Sequence, residues 1–292
     1  MYYLIYIPLY LLSLLPFRVL YFIGDMIYGL LYYIMKYRRQ VVMDNLKIAF
    51  PEKSDVELKK ISKRFYHNFV DNFIETLKFL SLSREGFEKR IDFDTSGIEP
   101  AYPSGQSIQM FTMHNFSWEF ANWGMATRAK YPFLVIYMPL SNKHMDRIIK
   151  DMRARFGSVM IPATNFRRQY VQYARKAHMT ASVADQNPGN VDTAWWFNFF
   201  GKPTPFVTGP EKSARANKSS VVFVSFHRVK RGYYKVVTKF ITNDPNAYPE
   251  KEITRQYIRF MEECLREHPA NYLWSHRRWK HDYDPKYGPI VQ

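Results

Sequence analysis

The chain has 292 residues, 47% hydrophobic and 17% aromatic, which is too apolar for a disordered polymer and long enough to bury one large core. A net charge of +16 calls for a partner of opposite sign, whether nucleic acid, an acidic protein or a phospholipid surface. The single Cys264 excludes an intrachain disulfide framework, and Ile258, Met261 and Leu265 surround it at helical spacing, as they would a core thiol.

From Met1 to Met35 only Arg18 and Asp25 are charged, and Pro8 and Pro16 interrupt the first half. The cleaner run, Val19 to Met35, makes about 25 Å of helix against a hydrocarbon core of about 30 Å. It ends at Lys36-Tyr-Arg-Arg39, a basic stop that belongs on the cytoplasmic side. No basic leader or small-residue cleavage site marks a signal peptide. Residues 1–36 are therefore expected to form a membrane-anchoring segment, spanning or lying in the interface, and 37–292 a single cytoplasmic domain. A buried core helix of a soluble protein is the competing reading of the same residues.

Ser54-Asp-Val-Glu57 is a capping-box pattern, and Leu58, Ile61, Phe65, Phe69, Phe73, Thr76, Leu77 and Leu80 then recur at helical steps, predicting an amphipathic helix packed on the core. After Gly86 short apolar runs alternate with helix-like stretches. Strands are predicted over 108–113, 133–138, 179–184, 221–227 and 233–240. Helices are predicted over 118–130, 144–156, 167–177, 210–217 and 253–268. The alternation predicts an α/β domain with a central sheet flanked by helices, made mixed by a hairpin at Lys230-Arg-Gly232.

Met113-His-Asn-Phe-Ser-Trp-Glu-Phe120 lies where the first core strand gives way to a helix. His114 and Glu119 are five residues apart, which on a helix would separate them by roughly 140°, so His114 must precede the helix at a strand end. Ser117 is a candidate N-cap that places Glu119 in the first turn. A general base and its orienting acid fit this spacing, as does an ordinary buried histidine. Further candidates are Asp151-Met-Arg-Ala-Arg155, Asp185-Gln-Asn-Pro-Gly189 directly after an apolar strand, Phe199-Phe-Gly201, Thr208-Gly-Pro-Glu211 and Trp274-Ser-His-Arg-Arg-Trp-Lys280. Plain structural roles fit each: a solvated helix face for Arg153 and Arg155, a turn former for Asp185, and unspecific headgroup contact for the tail. The eight histidines do not cluster at ligand spacing, so no metal is expected.

This ordered set resembles the late acyltransferases of bacterial lipid A biosynthesis, the lauroyl/myristoyl transferase family related to the glycerolipid acyltransferases. The resemblance spans nearly the whole chain, from the apolar N-terminus and Arg38-Arg39, Asn45-Leu46 and Phe50-Pro51, through the His114–Glu119 box, Asp185-Gln186 and Phe199-Phe200-Gly201, to Trp274–Lys280. Two features depart from relatives. Met138-Pro139 stands where many carry Arg-Pro, and the Glu-Gly-Thr-Arg loop of the glycerol-phosphate branch is absent, Gly209-Pro210-Glu211 being the nearest text.

The resemblance implies transfer of a fatty acyl chain from acyl carrier protein to a hydroxyl of a lipid A precursor, at the cytoplasmic side of the inner membrane, with no cofactor beyond the acyl carrier protein co-substrate. It implies His114 as general base paired with Glu119, and Arg153 as oxyanion donor, with Arg147 and Arg155 as alternatives. Asp185 would orient that arginine or the substrate. Arg155, Gln186, His276, Arg277, Arg278 and Lys280 are expected to bind substrate, with Trp274 and Trp279 at the membrane interface. Trp195, Trp196, Phe197, Phe199 and Phe200 are candidates for the acyl slot. Acidic carrier protein, anionic lipid and the membrane would then account for the positive charge, without nucleic acid. Two rival readings stand beside this one: an acyltransferase on another lipid acceptor, and a non-catalytic basic membrane or nucleic-acid binding module in which His114 and Glu119 are dispensable.

Overall fold

The computed structural model describes residues 1–291, apart from the side chain of Arg167. Five helices come first: α1 (Tyr2–Leu14), α2 (Phe17–Gly29) continued by a π-helical turn over Leu30–Ile34, α3 (Arg39–Ala49), α4 (Asp55–Lys78) and α5 (Arg84–Glu88). The alternating part follows as β1 (Ile91–Phe93), β2 (Ile108–Thr112), α6 (Trp118–Arg128), β3 (Phe133–Tyr137), α7 (Lys143–Ala154), β4 (Val159–Pro162), α8 (Phe166–Tyr170) and β5 (Met179–Val183). The chain closes with β6 (Trp195–Phe199), β7 (Lys202–Phe206), α9 (Gly209–Ala216), β8 (Ser220–Lys230), β9 (Tyr233–Thr242) and α10 (Glu252–Glu267).

Seven strands form one sheet in the order β1-β9-β8-β2-β5-β3-β4, parallel except for the antiparallel β8–β9 hairpin. The mixed α/β architecture is thus the expected one, and all five predicted strands form. Gly232 takes φ 77° in the hairpin turn, the left-handed region that glycine enters at little cost. Strands β1 and β4 are too short for periodicity to reveal, and the helix expected over 167–177 is only the single turn α8 followed by turns. The aromatic stretch 195–199 pairs with β7 as a separate two-stranded ribbon. Pro203 and Pro205 lack the amide that a central strand must donate, which keeps β7 out of the main sheet.

All five residues of β2 are buried, as the middle of a sheet covered on both faces requires. Phe111 and Phe223 meet Tyr257 of α10 on one face, while Ile108, Met110, Val222 and Val224 join Phe120 and Trp123 of α6 in the core on the other side. Helix α4 starts at the predicted capping box, where Ser54 accepts from the Glu57 amide and Glu57 from the Ser54 amide. Its inward face is less apolar than the periodicity implied, because Asp71, Asn72 and Glu75 are buried while Phe73 is 54% exposed.

Glu75 accepts hydroxyl hydrogen bonds from Tyr21 at 2.9 Å and Tyr234 at 2.8 Å. Burial pushes its carboxyl up from 4.5 to about 7, despite these bonds. A raised folded value means that its contribution to stability is full below the unfolded value and is lost as pH rises through about 7. Glu75→Gln retains an acceptor for a tyrosine. It should therefore flatten the pH dependence of Tm between 4.5 and 7, and gain up to about 3 kcal/mol over the parent at higher pH. Parallel Tm profiles for the two proteins would show that ionised Glu75 is tolerated.

Candidate active site

The parallel pairing of β2 with β5 sets Thr112 opposite Val183, and two residues further along both chains stand His114 and Asp185. Asp185 grips the histidine twice. Its Oδ2 accepts from the His114 amide at 3.2 Å and its Oδ1 lies 2.8 Å from Nδ1. With Nδ1–H donated to the carboxylate, Nε2 is left as the basic nitrogen, and the side-chain amide of Gln186 sits 3.3 Å from it. Burial alone would lower the imidazole pKa, but the charge and hydrogen bond of Asp185 outweigh it and leave His114 above 6.5. Asp185 is itself fully buried; the paired imidazole and the bonds it receives hold its carboxyl below the usual value against that desolvation.

Glu119 stands in the first turn of α6, as expected, yet it does not orient His114. Its carboxylate is 1% exposed and receives Arg153 Nε at 3.0 and 3.1 Å, Arg153 Nη2 at 2.7 Å and Trp118 Nε1 at 3.1 Å. Burial pulls the guanidinium pKa down, but Glu119 more than compensates and holds Arg153 charged. Asn122 and Trp123 of α6 donate to the Arg153 and Met152 carbonyls, fixing the end of α7 against α6 and bringing the arginine within reach of the glutamate. The expected pairing is therefore corrected. His114 pairs with Asp185, Glu119 with Arg153, and Asp185 orients the histidine rather than the arginine. Ser117 occupies the N-cap position without a side-chain cap bond.

His114, Trp118, Glu119, Arg153 and Gln186 line one cavity of about 510 Å³. Its apolar wall comes from alternate residues of four neighbouring strands: Phe133 and Val135, Ala181 and Val183, Met110 and Thr112, Val224 and Phe226. Ala121 and Met125 of α6 cover it. These wall residues went unrecognised in the sequence. Their i, i+2 spacing is visible there, but it marks a shared wall only when the strand order is known. The aromatics expected to line the slot lie elsewhere: Trp195, Trp196, Phe197, Phe199 and Phe200 are buried around the β6–β7 ribbon and none reaches the cavity.

Of the other expected substrate ligands, Gln186 alone is in the cavity. Arg155 binds the Phe79 and Leu80 carbonyls at 3.3 Å, past the end of α4. Arg278 is buried, donating to Asn187 Oδ1 and the Pro205 carbonyl and lying 4.3 Å from the Phe206 ring centroid, so it cannot meet a headgroup. Burial with the nearby Arg278 charge drives His276 down to about 4, and as a neutral ring it accepts from the Asn187 amide at 3.3 Å. Asn187 also donates to the Arg277 carbonyl. The tail therefore braces the loop that carries Asp185. Trp274 and Trp279 are buried in the core rather than placed at an interface, while Arg277 and Lys280 are exposed. Among the described residues no group of three or more His, Cys, Asp or Glu is placed to hold a metal ion.

A largely apolar cavity with a histidine on its wall can hold a long-chain substrate beside a group able to take up a proton, and the class of enzyme that the chain matches is an acyltransferase. The chain belongs to the family of bacterial lipid A biosynthesis acyltransferases, which it matches over residues 1–281. It is 25% identical to a lipid A biosynthesis palmitoleoyltransferase of Escherichia coli K12 over 273 residues, covering 91% of this chain and 86% of that one. It is 23% identical to a lipid A biosynthesis lauroyltransferase of the same organism, covering 93% and 89%. A lipid A biosynthesis acyltransferase of Haemophilus influenzae is 21% identical over 82% of this chain and 74% of its own.

Proposed function

We propose that the protein transfers a fatty acyl chain from acyl carrier protein to a hydroxyl of a lipid A precursor at the cytoplasmic face of the inner membrane. The observation that carries this reading is the His114–Asp185 dyad, with the histidine on the wall of a largely apolar cavity of about 510 Å³, room enough for a fatty acyl chain. The names of the relatives support the acceptor, and the +16 charge of the chain favours an acidic donor.

The acceptor hydroxyl gives its proton to His114 Nε2 as its oxygen attacks the thioester carbonyl. The carbonyl π electrons move to oxygen, and Arg153 faces that oxyanion. The three described Arg153–Glu119 hydrogen bonds use Nε and Nη2, which leaves Nη1 for the substrate. Collapse of the tetrahedral intermediate breaks the C–S bond, and the imidazolium returns its proton to the departing thiolate of the carrier. Asp185 stabilises the transient imidazolium and keeps Nε2 facing the cavity. No covalent enzyme intermediate is needed.

The test is mass spectrometry of total lipids from cells with and without the protein, complemented by the parent or by His114→Ala. Loss of one acyl chain from lipid A, restored by the parent and not by the variant, is the expected result. A missing chain on another lipid class would move the acceptor, and an unchanged lipid profile would remove the reading.

A further inference from the structure

Among the described residues one helical stretch, Phe17–Ile34, has the length and apolarity to cross a membrane, yet only 22% of it is buried in the molecule. Its contacts nevertheless run from end to end along the domain. Phe17 lies 4.0 Å below the Arg90 guanidinium, Tyr21 donates to Glu75, Tyr28 stacks on His67 at 3.6 Å, and Tyr32 meets Tyr66. Midway, Asp25 forms a two-point ion pair with Arg231 from the β8–β9 turn, and Arg231 also binds the buried Asp71 of α4. Gly24 permits the close approach, since a Cβ there would meet Ile74 at 3.2 Å. Helix α1 is seated in the same way. The Ser13 carbonyl accepts from Lys78 and Ser81 at one end, and Tyr2 lies under Arg147 of α7 at the other.

A helix docked at every turn cannot cross a bilayer alone. Crossing would carry Arg90, Asp71, Arg231 and His67 through the hydrocarbon beside it, and such groups are costly there. The outward side tells the same story. Val19, Phe22, Met26, Leu30 and Tyr33 form one exposed apolar stripe opposite the buried Leu20, Gly24, Tyr28 and Tyr32. Leu4, Ile7, Leu11 and Leu14 of α1 are exposed as well. Cations rim this surface, with Arg18 at one end of α2, Lys36 and Arg38 past the other, and Lys63 beside Tyr33. An apolar stripe bordered by cations fits an interfacial helix on anionic lipid.

We propose that α1 and α2 do not span the membrane but lie in its surface as a platform, their outward faces seated among anionic phospholipids. Tyr37, Phe69, Phe73 and Trp118 follow one another at ring separations of 6.2, 5.1 and 6.4 Å, leading from the end of the platform to the cavity wall. This inference rests on the reading of the protein as a membrane enzyme, but on neither the donor nor the acceptor.

The test uses the full chain carrying Cys264→Ala and one new cysteine at Leu4, Phe22, Met26, Leu30 or Ile34, all exposed positions. Each is labelled with an environment-sensitive fluorophore and reconstituted into vesicles of phosphatidylethanolamine and phosphatidylglycerol, and circular dichroism confirms the fold. Quenching by lipids spin-labelled at known depths should place all five at one shallow level, about 5–10 Å below the headgroups. A profile that deepens to mid-bilayer at Met26 and returns at Ile34, about 12 Å further along the helix, would establish a span and overturn the proposal. Absence of quenching at every position would overturn it together with the membrane reading. Depth is read without acyl transfer, so a wrong acceptor would leave the result unchanged.

Discussion

His114→Ala should lower the rate of acyl transfer by roughly 10²–10⁴-fold, the usual contribution of a positioned general base, with little change in Tm. Asp185→Asn should approach the same loss. The amide keeps the shape of the carboxylate but can hold neither the Nδ1–H tautomer nor the imidazolium, and it replaces the acceptor of both the ring and the His114 amide. The pH profile separates this dyad from the pairing with Glu119 that the spacing suggested. Asp185 raises the imidazole above 6.5, so activity in the parent should fall as pH drops through that raised value, where His114 takes up a proton and ceases to be a base. Asp185→Asn should move this acid limb to lower pH, and Glu119→Gln should leave it in place. A limb that shifts with Glu119 and not with Asp185 would reverse the assignment.

The second large effect is expected at Arg153, where two consequences of one substitution can be pulled apart. Arg153→Ala removes the cation proposed to face the oxyanion, for which a loss of roughly 10²–10³-fold in kcat is expected. It also strands Glu119, a carboxylate at 1% exposure whose remaining described partner is the Trp118 indole. Arg153 is itself 24% exposed at its side chain, so the cost in stability should fall near the lower end of that for a broken buried pair, about 3 kcal/mol. The double variant Glu119→Gln/Arg153→Met removes the orphaned charge. It should recover most of the stability in a denaturant titration and none of the rate. Recovery of both would make the pair structural and send the search for the oxyanion donor elsewhere in the cavity. Arg155→Ala serves as the control. Its guanidinium is spent on the Phe79 and Leu80 carbonyls, so its effect should appear in stability rather than in kcat.

Local signals made a large part of this molecule legible. The capping box at Ser54 appears in the structure as read, because it is satisfied within four residues. The five predicted strands formed because hydrophobic runs between turn residues need no distant information. Other residues owe their environment to what packs over them, which the local sequence does not encode. Trp274, Trp279 and Arg278 look like an aromatic and basic membrane tail, yet they are buried around the Asp185 loop. Interleaved cations and aromatics suit a lipid surface and a cation–π core contact equally well, and composition cannot choose between them. The aromatics at 195–200 behave similarly. They are apolar enough for an acyl slot, but Pro203 and Pro205 keep their hairpin out of the sheet that walls the cavity.

The order of residues along the chain supplies the chemistry: a histidine at a strand end, a glutamate opening the next helix, an arginine near the end of α7, an aspartate after another strand, and a basic, apolar chain to carry them. Which of these groups meet depends on how strands and helices pack. Parallel alignment of β2 with β5 brings His114 and Asp185 together across a separation of 71 residues, and the packing of α6 on α7 closes Glu119 onto Arg153. Glu119 is five residues from His114 in sequence, but strand register and helix packing set the distances at which charges interact, and spacing along the chain fixes neither.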